Sequence, residues 1–97
     1  MDTTALAKIL KALSNPNRLE LYLEIVKNHQ AEYETGCECF VSDIIGSLNI
    51  GAPTVSHHLK ELANAGLITT QRQGKFLTAR INEAVINEVS AILSLKG

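Results

Sequence analysis

Large aliphatic side chains recur along this chain at helical spacing in five places, and near one end of it they alternate with polar ones. Leu6, Ile9, Leu10 and Leu13 follow i, i+3, i+4, i+7 and predict an amphipathic first helix over 2–13. Asn15-Pro16 restarts the chain, since Asn caps a helix well and Pro is preorganised for its first position. Leu19, Tyr22, Leu23 and Val26 then form the stripe of a second helix ending near Asn28. Residues 29–38 are polar and acidic and contain Gly36, which predicts a loop. Val41, Ile44, Ile45 and Leu48 define a short third helix, and after Asn49 to Gly51 a further helix carries Val55, Leu59 and Leu62 on one face. A gap of a few residues between two short helices is the turn of a helix-turn-helix.

Gly51 serves as the N-cap of that fourth helix, Pro53 sits in its first turn and Gly66 ends it. Thr54, Ser56, His57, Lys60 and Glu61 are left facing outward. Leu67 to Thr70 are strand formers, Phe76 to Ile81 alternates apolar with polar, and Gln71 to Lys75 connects them with a hairpin tip at Gln73-Gly74. From Asn82 onward Val85, Ile86, Val89, Ile92 and Leu93 predict a last helix over 82–95. The fold class is mainly α with a small β-hairpin, a winged helix-turn-helix of four helices, two strands and a fifth helix.

The 97 residues make one domain, spanning 1–97. No apolar run approaches the ~20 residues that cross a bilayer, so a cytoplasmic protein with no membrane partner is expected. A formal charge of −1 argues against nucleic acid until it is divided along the chain. Residues 51–81 hold Lys60, Arg72, Lys75 and Arg80 against Glu61, a net of +3, while five cations and nine acids elsewhere give −4. The helix-and-hairpin stretch is therefore the basic region, suited to phosphate. The first and last helices carry more aliphatic surface than one small core covers, which points to a two-fold homodimer with the terminal helices 2–13 and 82–95 at its interface.

With these elements placed, the chain resembles the ArsR/SmtB family of bacterial and archaeal winged-helix repressors. The resemblance is carried by ALSNPNRLELYLEI at 12–25, VSDIIGSLNI at 41–50, APTVSHHLKELANAGLI at 52–68 and RQGKFLTARI at 72–81. It implies a homodimer that binds a palindromic operator in double-stranded DNA and leaves it when an inducer binds. It also implies that Thr54, Ser56, His57 and Lys60 face bases and phosphates, and that Arg72, Gln73 and Lys75 contact the backbone or minor groove from the wing. Hydroxyls and imidazoles donate or accept at base edges, and Lys supplies phosphate charge. His58 matches the more inward of the paired histidine positions, either a DNA-facing group or a structural hydrogen-bonding one.

Cys37 and Cys39 stand just before the third helix, and two thiolates two residues apart can converge on one soft ion at ~2.3 Å each. A closed site needs further ligands, for which His29, Glu38 or a group of the partner subunit are candidates. The resemblance implies sensing of As(III), Cd(II) or another thiophilic ion, because arsenic- and cadmium-sensing members carry a similar pair in the first turn of this helix. Here the usual cysteine positions hold Phe40 and Ser42, and the cysteines lie one and three residues before Phe40. The family's zinc site on the last helix lacks its ligands, since 82–97 contains no His or Cys. Thiol-redox or reactive-sulfur chemistry at the same pair is the alternative inducer chemistry.

An enzyme is a poor fit, with no Gly-rich phosphate loop and no nucleophile placed beside a His and an acid. A winged-helix adaptor that binds protein rather than DNA is the remaining class, and it would show no salt-sensitive DNA affinity.

Overall fold

The computed structural model describes residues 1–35, 51–74 and 76–94. The expected third helix, the turn before Gly51, Cys37, Cys39, Glu38 and the wing residue Lys75 lie outside these residues. Asp2 opens helix α1 (Thr3–Leu13), its carboxylate accepting from the Ala5 N–H at 2.7 Å and so satisfying one of the donors a helix start leaves bare. Ser14 closes it. Asn15 then caps α2 (Pro16–Thr35) by accepting from the Arg18 N–H at 3.1 Å, as the Asn-Pro pair implies.

Helix α2 departs from the sequence expectation in two respects. It continues through 29–35, where a loop was expected, because this polar stretch contains Gln, Ala and Glu and no Gly or Pro before Gly36. Its buried face also differs from the expected stripe of Leu19, Tyr22, Leu23 and Val26. Leu21, Tyr22 and Ile25 are buried, Val26 is half-buried, and Leu19 and Leu23 are exposed.

Helix α3 (Ala52–Asn64) begins at Gly51 and buries the expected Val55, Leu59 and Leu62. Gly66 ends the turn beyond it with φ +82°, a left-handed conformation in which a Cβ would crowd the backbone. Strands β1 (Ile68–Gln73) and β2 (Phe76–Ile81) pair antiparallel from Ile68↔Ile81 to Gln73↔Phe76. Gln73, expected at the hairpin tip, is instead the last paired residue of β1, and Gly74 follows it at φ +62°. Helix α4 (Glu83–Leu93) is capped by the Asn82 side chain and ends at Ser94, slightly short of the expected 95.

The core gathers Leu21 and Ile25 of α2, Val55 and Leu62 of α3, and Leu67, Ile68 and Ala79 at the hairpin base, with Ile9 and Val89 contributed by the terminal helices. At up to ~2–3 kcal/mol per fully buried large aliphatic side chain, this cluster is the main force holding α3 and the hairpin on α2. On the terminal helices Leu10, Ile92 and Leu93 stay exposed, and the amino group of Met1 lies 2.7 Å from Glu88 Oε1, so the start of α1 and the middle of α4 are neighbours. Among the described residues no helix is long and apolar enough to cross a membrane.

Candidate nucleic-acid interface

Helix α3 divides its side chains between two environments. The stripe of Val55, Leu59 and Leu62 is consumed by the core, and Pro53, Thr54, Ser56, His57, Lys60 and Asn64 are exposed. The hydroxyls, imidazole, amine and amide thus share a continuous outward face, with no large apolar residue among them. Glu61, expected on that face, is half-buried on its flank.

The hairpin extends this surface. Thr69, Thr70, Gln71 and Arg72 are exposed along β1, while Thr78 and Ala79 of β2 are buried against the body of the protein. The Thr78 hydroxyl donates across the pair to the Gln71 carbonyl at 3.1 Å, which satisfies a polar group that burial would otherwise leave unpaired. Between α3 and the hairpin runs an open groove into which Ser56, Lys60, Asn64, Thr70 and Arg72 all contribute. Lys60 and Arg72 are distant in sequence, yet they line one groove and place two cations beside three neutral hydrogen-bonding groups. Such a set can hold a phosphodiester by charge and address a base edge by hydrogen bonding. Gln73 lies at the end of β1, beside the wing turn where its sequence position puts it.

His58 does not share the outward face. It is 5% exposed, and its Nδ1 accepts from Arg18 Nε at 3.3 Å. The same guanidinium donates through Nη1 to the Ala12 carbonyl at 3.2 Å, near the end of α1. An Nδ1 that accepts places the imidazole proton on Nε2, in the neutral ring. Burial, then the charge of Arg18, then His57 hold His58 below the usual imidazole range. His58 is thus buried and hydrogen-bonded to Arg18, apart from the exposed residues of α3. The neighbouring His57 is exposed, its ring centroid 5.9 Å from that of His58.

Arg18 is a functional candidate that sequence patterning alone misses, since it falls in the acidic remainder of the chain. Its signal is its place in the Asn-Pro-Asn-Arg-Leu run at the start of a helix, where a long cation has no obvious helical role. Lys8, Lys11 and Arg18 line a second cleft with Glu61 and Asn64, so dividing charge by sequence segment separates groups that the fold brings together.

A helical body with the amphipathic helix α3 and a two-stranded hairpin defines a winged helix-turn-helix protein of the DNA-binding class. Residues 36–70 match the family described as bacterial regulatory protein, arsR family. The chain is 30% identical over 95 residues to the arsenical resistance operon repressor of Staphylococcus aureus, covering 98% of this chain and 83% of that protein. The crystal structure of the transcriptional repressor BigR from Xylella fastidiosa superimposes with a TM-score of 0.66 at 29% identity, over 96% of this chain and 90% of that one. The homodimeric winged helix-turn-helix DNA-binding domain of a Mycobacterium bovis protein superimposes with a TM-score of 0.69 at 24% identity, over 94% of this chain and 77% of that one. The protein belongs to the ArsR family of bacterial regulatory proteins, whose members are DNA-binding transcriptional regulators and not enzymes.

Proposed function

We propose that this ArsR-family regulator is a homodimeric repressor that reads a palindromic operator with α3 and the wing, and leaves it when a thiophilic ion reaches Cys37 and Cys39. The observation that carries the reading is the groove between α3 and β1, where Ser56, Lys60, Asn64, Thr70 and Arg72 converge beside the exposed Thr54 and His57. In this reading Thr54, Ser56 and His57 address base edges, while Lys60 and Arg72, with Gln73 and Lys75 at the wing, hold the backbone. The exposed Leu10 of α1 and Ile92 of α4 support a dimer built on the terminal helices, which places two copies of α3 in successive major grooves roughly 34 Å apart.

The inducer chemistry rests on the donor set. Two thiolates favour As(III), Cd(II) or a similarly soft ion over hard cations, and the Staphylococcus aureus relative represses an arsenical resistance operon. Thiolate ligands must be deprotonated, so binding releases protons and weakens as pH falls. The test uses anaerobically purified full chain and DNA from its own promoter, titrated with arsenite, Cd(II) and Zn(II) at two salt concentrations. Specific affinity that drops with salt and is abolished by arsenite or Cd(II), in wild type but not in Cys37→Ser, is the expected result. Salt-independent binding, or none, overturns the operator role. Release by a mild oxidant or polysulfide but by no metal moves the inducer to thiol chemistry.

A further inference from the structure

We propose that Arg18 is a positioning residue for operator recognition, a strut that sets the rotation of α3 against α1 by hydrogen-bonding the His58 imidazole and the Ala12 carbonyl at once. This rests on the operator-reading role proposed above.

Apolar contacts hold α3 in place, but they are not directional. Val55, Leu59 and Leu62 are buried, and the gain from burying them depends on area removed from water rather than on bond direction. Reading a base edge is less forgiving. On a helix of ~5–6 Å radius with its side chains, a rotation of about 10° moves a side-chain tip by about 1 Å, enough to spoil a hydrogen bond. His58 lies between His57 and Lys60 in sequence but points inward, so whatever fixes its ring fixes the azimuth of the reading side chains around it.

Arg18 is built for that task. Its own position is set by the Asn15 cap on its N–H, at the first turn of α2. From there Nε reaches His58 Nδ1 at 3.3 Å and Nη1 reaches Ala12 O at 3.2 Å, so one rigid planar group meets acceptors on two helices. A lysine ammonium has donors too, but on a flexible stem without the planar fork that fixes both directions at once. Ala12 is itself buried near the end of α1, the helix that carries the exposed Leu10. The strut thereby links the helix proposed to contact the partner subunit with the helix proposed to read DNA. In a two-fold dimer it sets the mutual orientation of the two reading helices as well as each one alone.

The substitutions that test this are Arg18→Lys, His58→Phe and His58→Asn, with wild type measured in parallel. His58→Phe removes the acceptor, whereas His58→Asn keeps an uncharged oxygen close to where Nδ1 lies. We expect Arg18→Lys and His58→Phe to weaken promoter binding at least tenfold while affinity for random DNA stays within about twofold. His58→Asn should recover most of the loss. Imidazole 15N resonances of wild-type His58 should show the proton on Nε2, a readout that does not involve DNA. Equal losses on promoter and random DNA, losses fully accounted for by the unfolded fraction, or a proton found on Nδ1 would each overturn the strut. If wild type itself fails to discriminate the promoter, the operator reading falls first, and the tautomer measurement still decides whether the Arg18–His58 bond exists.

Discussion

The backbone N–H of Asn82 donates to the carbonyl of Leu67 at 2.9 Å, one step beyond the Ile68↔Ile81 pair that closes the hairpin. Leu67 in turn donates its own N–H to the Leu62 carbonyl at 3.1 Å, and the Asn82 side chain caps α4 by accepting from the Val85 N–H at 3.4 Å. A single buried residue thus joins the end of α3, the base of the hairpin and the start of the last helix. The turn that permits this passes through Gly66.

Gly66 stands at φ +82°, and beyond its own residue and its chain neighbours no atom lies within 4 Å of where a Cβ would be, so substitution there is resisted by local backbone strain alone. Gly66→Ala is expected to cost about 1–2 kcal/mol, and to lower the melting temperature by roughly 4–8 °C for each kcal/mol in a domain of this size. Thermal melts followed by circular dichroism check this. An unchanged melting temperature would mean that the turn has another accessible conformation.

A second expectation concerns pH. Burial, Arg18 and His57 together hold the His58 imidazole below its ordinary value of 6.5. The unfolded chain therefore takes up a proton at this site before the folded protein does, so the folded state loses stability as pH falls below 6.5 and gains none from this site above it. Urea midpoints measured between about pH 7.5 and 5.5 should decline more steeply for wild type than for His58→Asn, which has nothing to titrate there. Parallel curves would show that His58 is protonated equally easily in both states.

How far the sequence discloses this arrangement depends on whether a segment carries one pattern or two. Val55, Leu59 and Leu62 are the large aliphatics of α3, so a single face is available and the structure buries it. In α2 the residues Leu19, Leu21, Tyr22, Leu23, Ile25 and Val26 make six of the eight positions from 19 to 26 apolar, more than one face can hold. Two stripes compete there, and tertiary packing selects the one through Leu21 and Ile25, a choice that periodicity does not contain. Polarity alone misplaces the end of α2, because a polar run without a breaker can stay helical and the first breaker is Gly36. For the candidate site, the outward residues of α3 are legible from helical spacing. The Arg18–His58 bond is not, since it joins residues 40 apart that belong to different patterns.

The groove between α3 and β1 implies a division of labour among its side chains. Removing a cation with Lys60→Ala or Arg72→Ala should weaken binding to promoter and random DNA alike. It should also flatten the dependence of log affinity on log salt, by a slope of about one for each phosphate that a subunit no longer neutralises. Ser56→Ala leaves the charge intact and should change preference among base pairs at one operator position by about 1–3 kcal/mol. Both effects can be read from titrations at several salt concentrations against promoter, point-substituted and random duplexes. If Ser56→Ala shifts all duplexes equally, that hydroxyl is not reading sequence.

The terminal helices supply the sharpest test of assembly. Leu10 is 44% exposed and Ile92 45% exposed in the single chain, so each keeps apolar surface that a partner could cover. Changing Leu10 to Glu should leave the monomer folded, because the new carboxylate remains in water there. In a two-fold dimer the same change appears twice, burying two unpaired charges and deleting two apolar contacts. At about 2 kcal/mol for each central interface residue, the dimer should dissociate roughly a thousandfold more readily. Sedimentation equilibrium reads this directly, and operator affinity should fall with it, because one reading helix alone has little affinity at physiological salt. A Leu10→Glu protein that remains dimeric and binds its promoter as wild type does would move the interface away from α1.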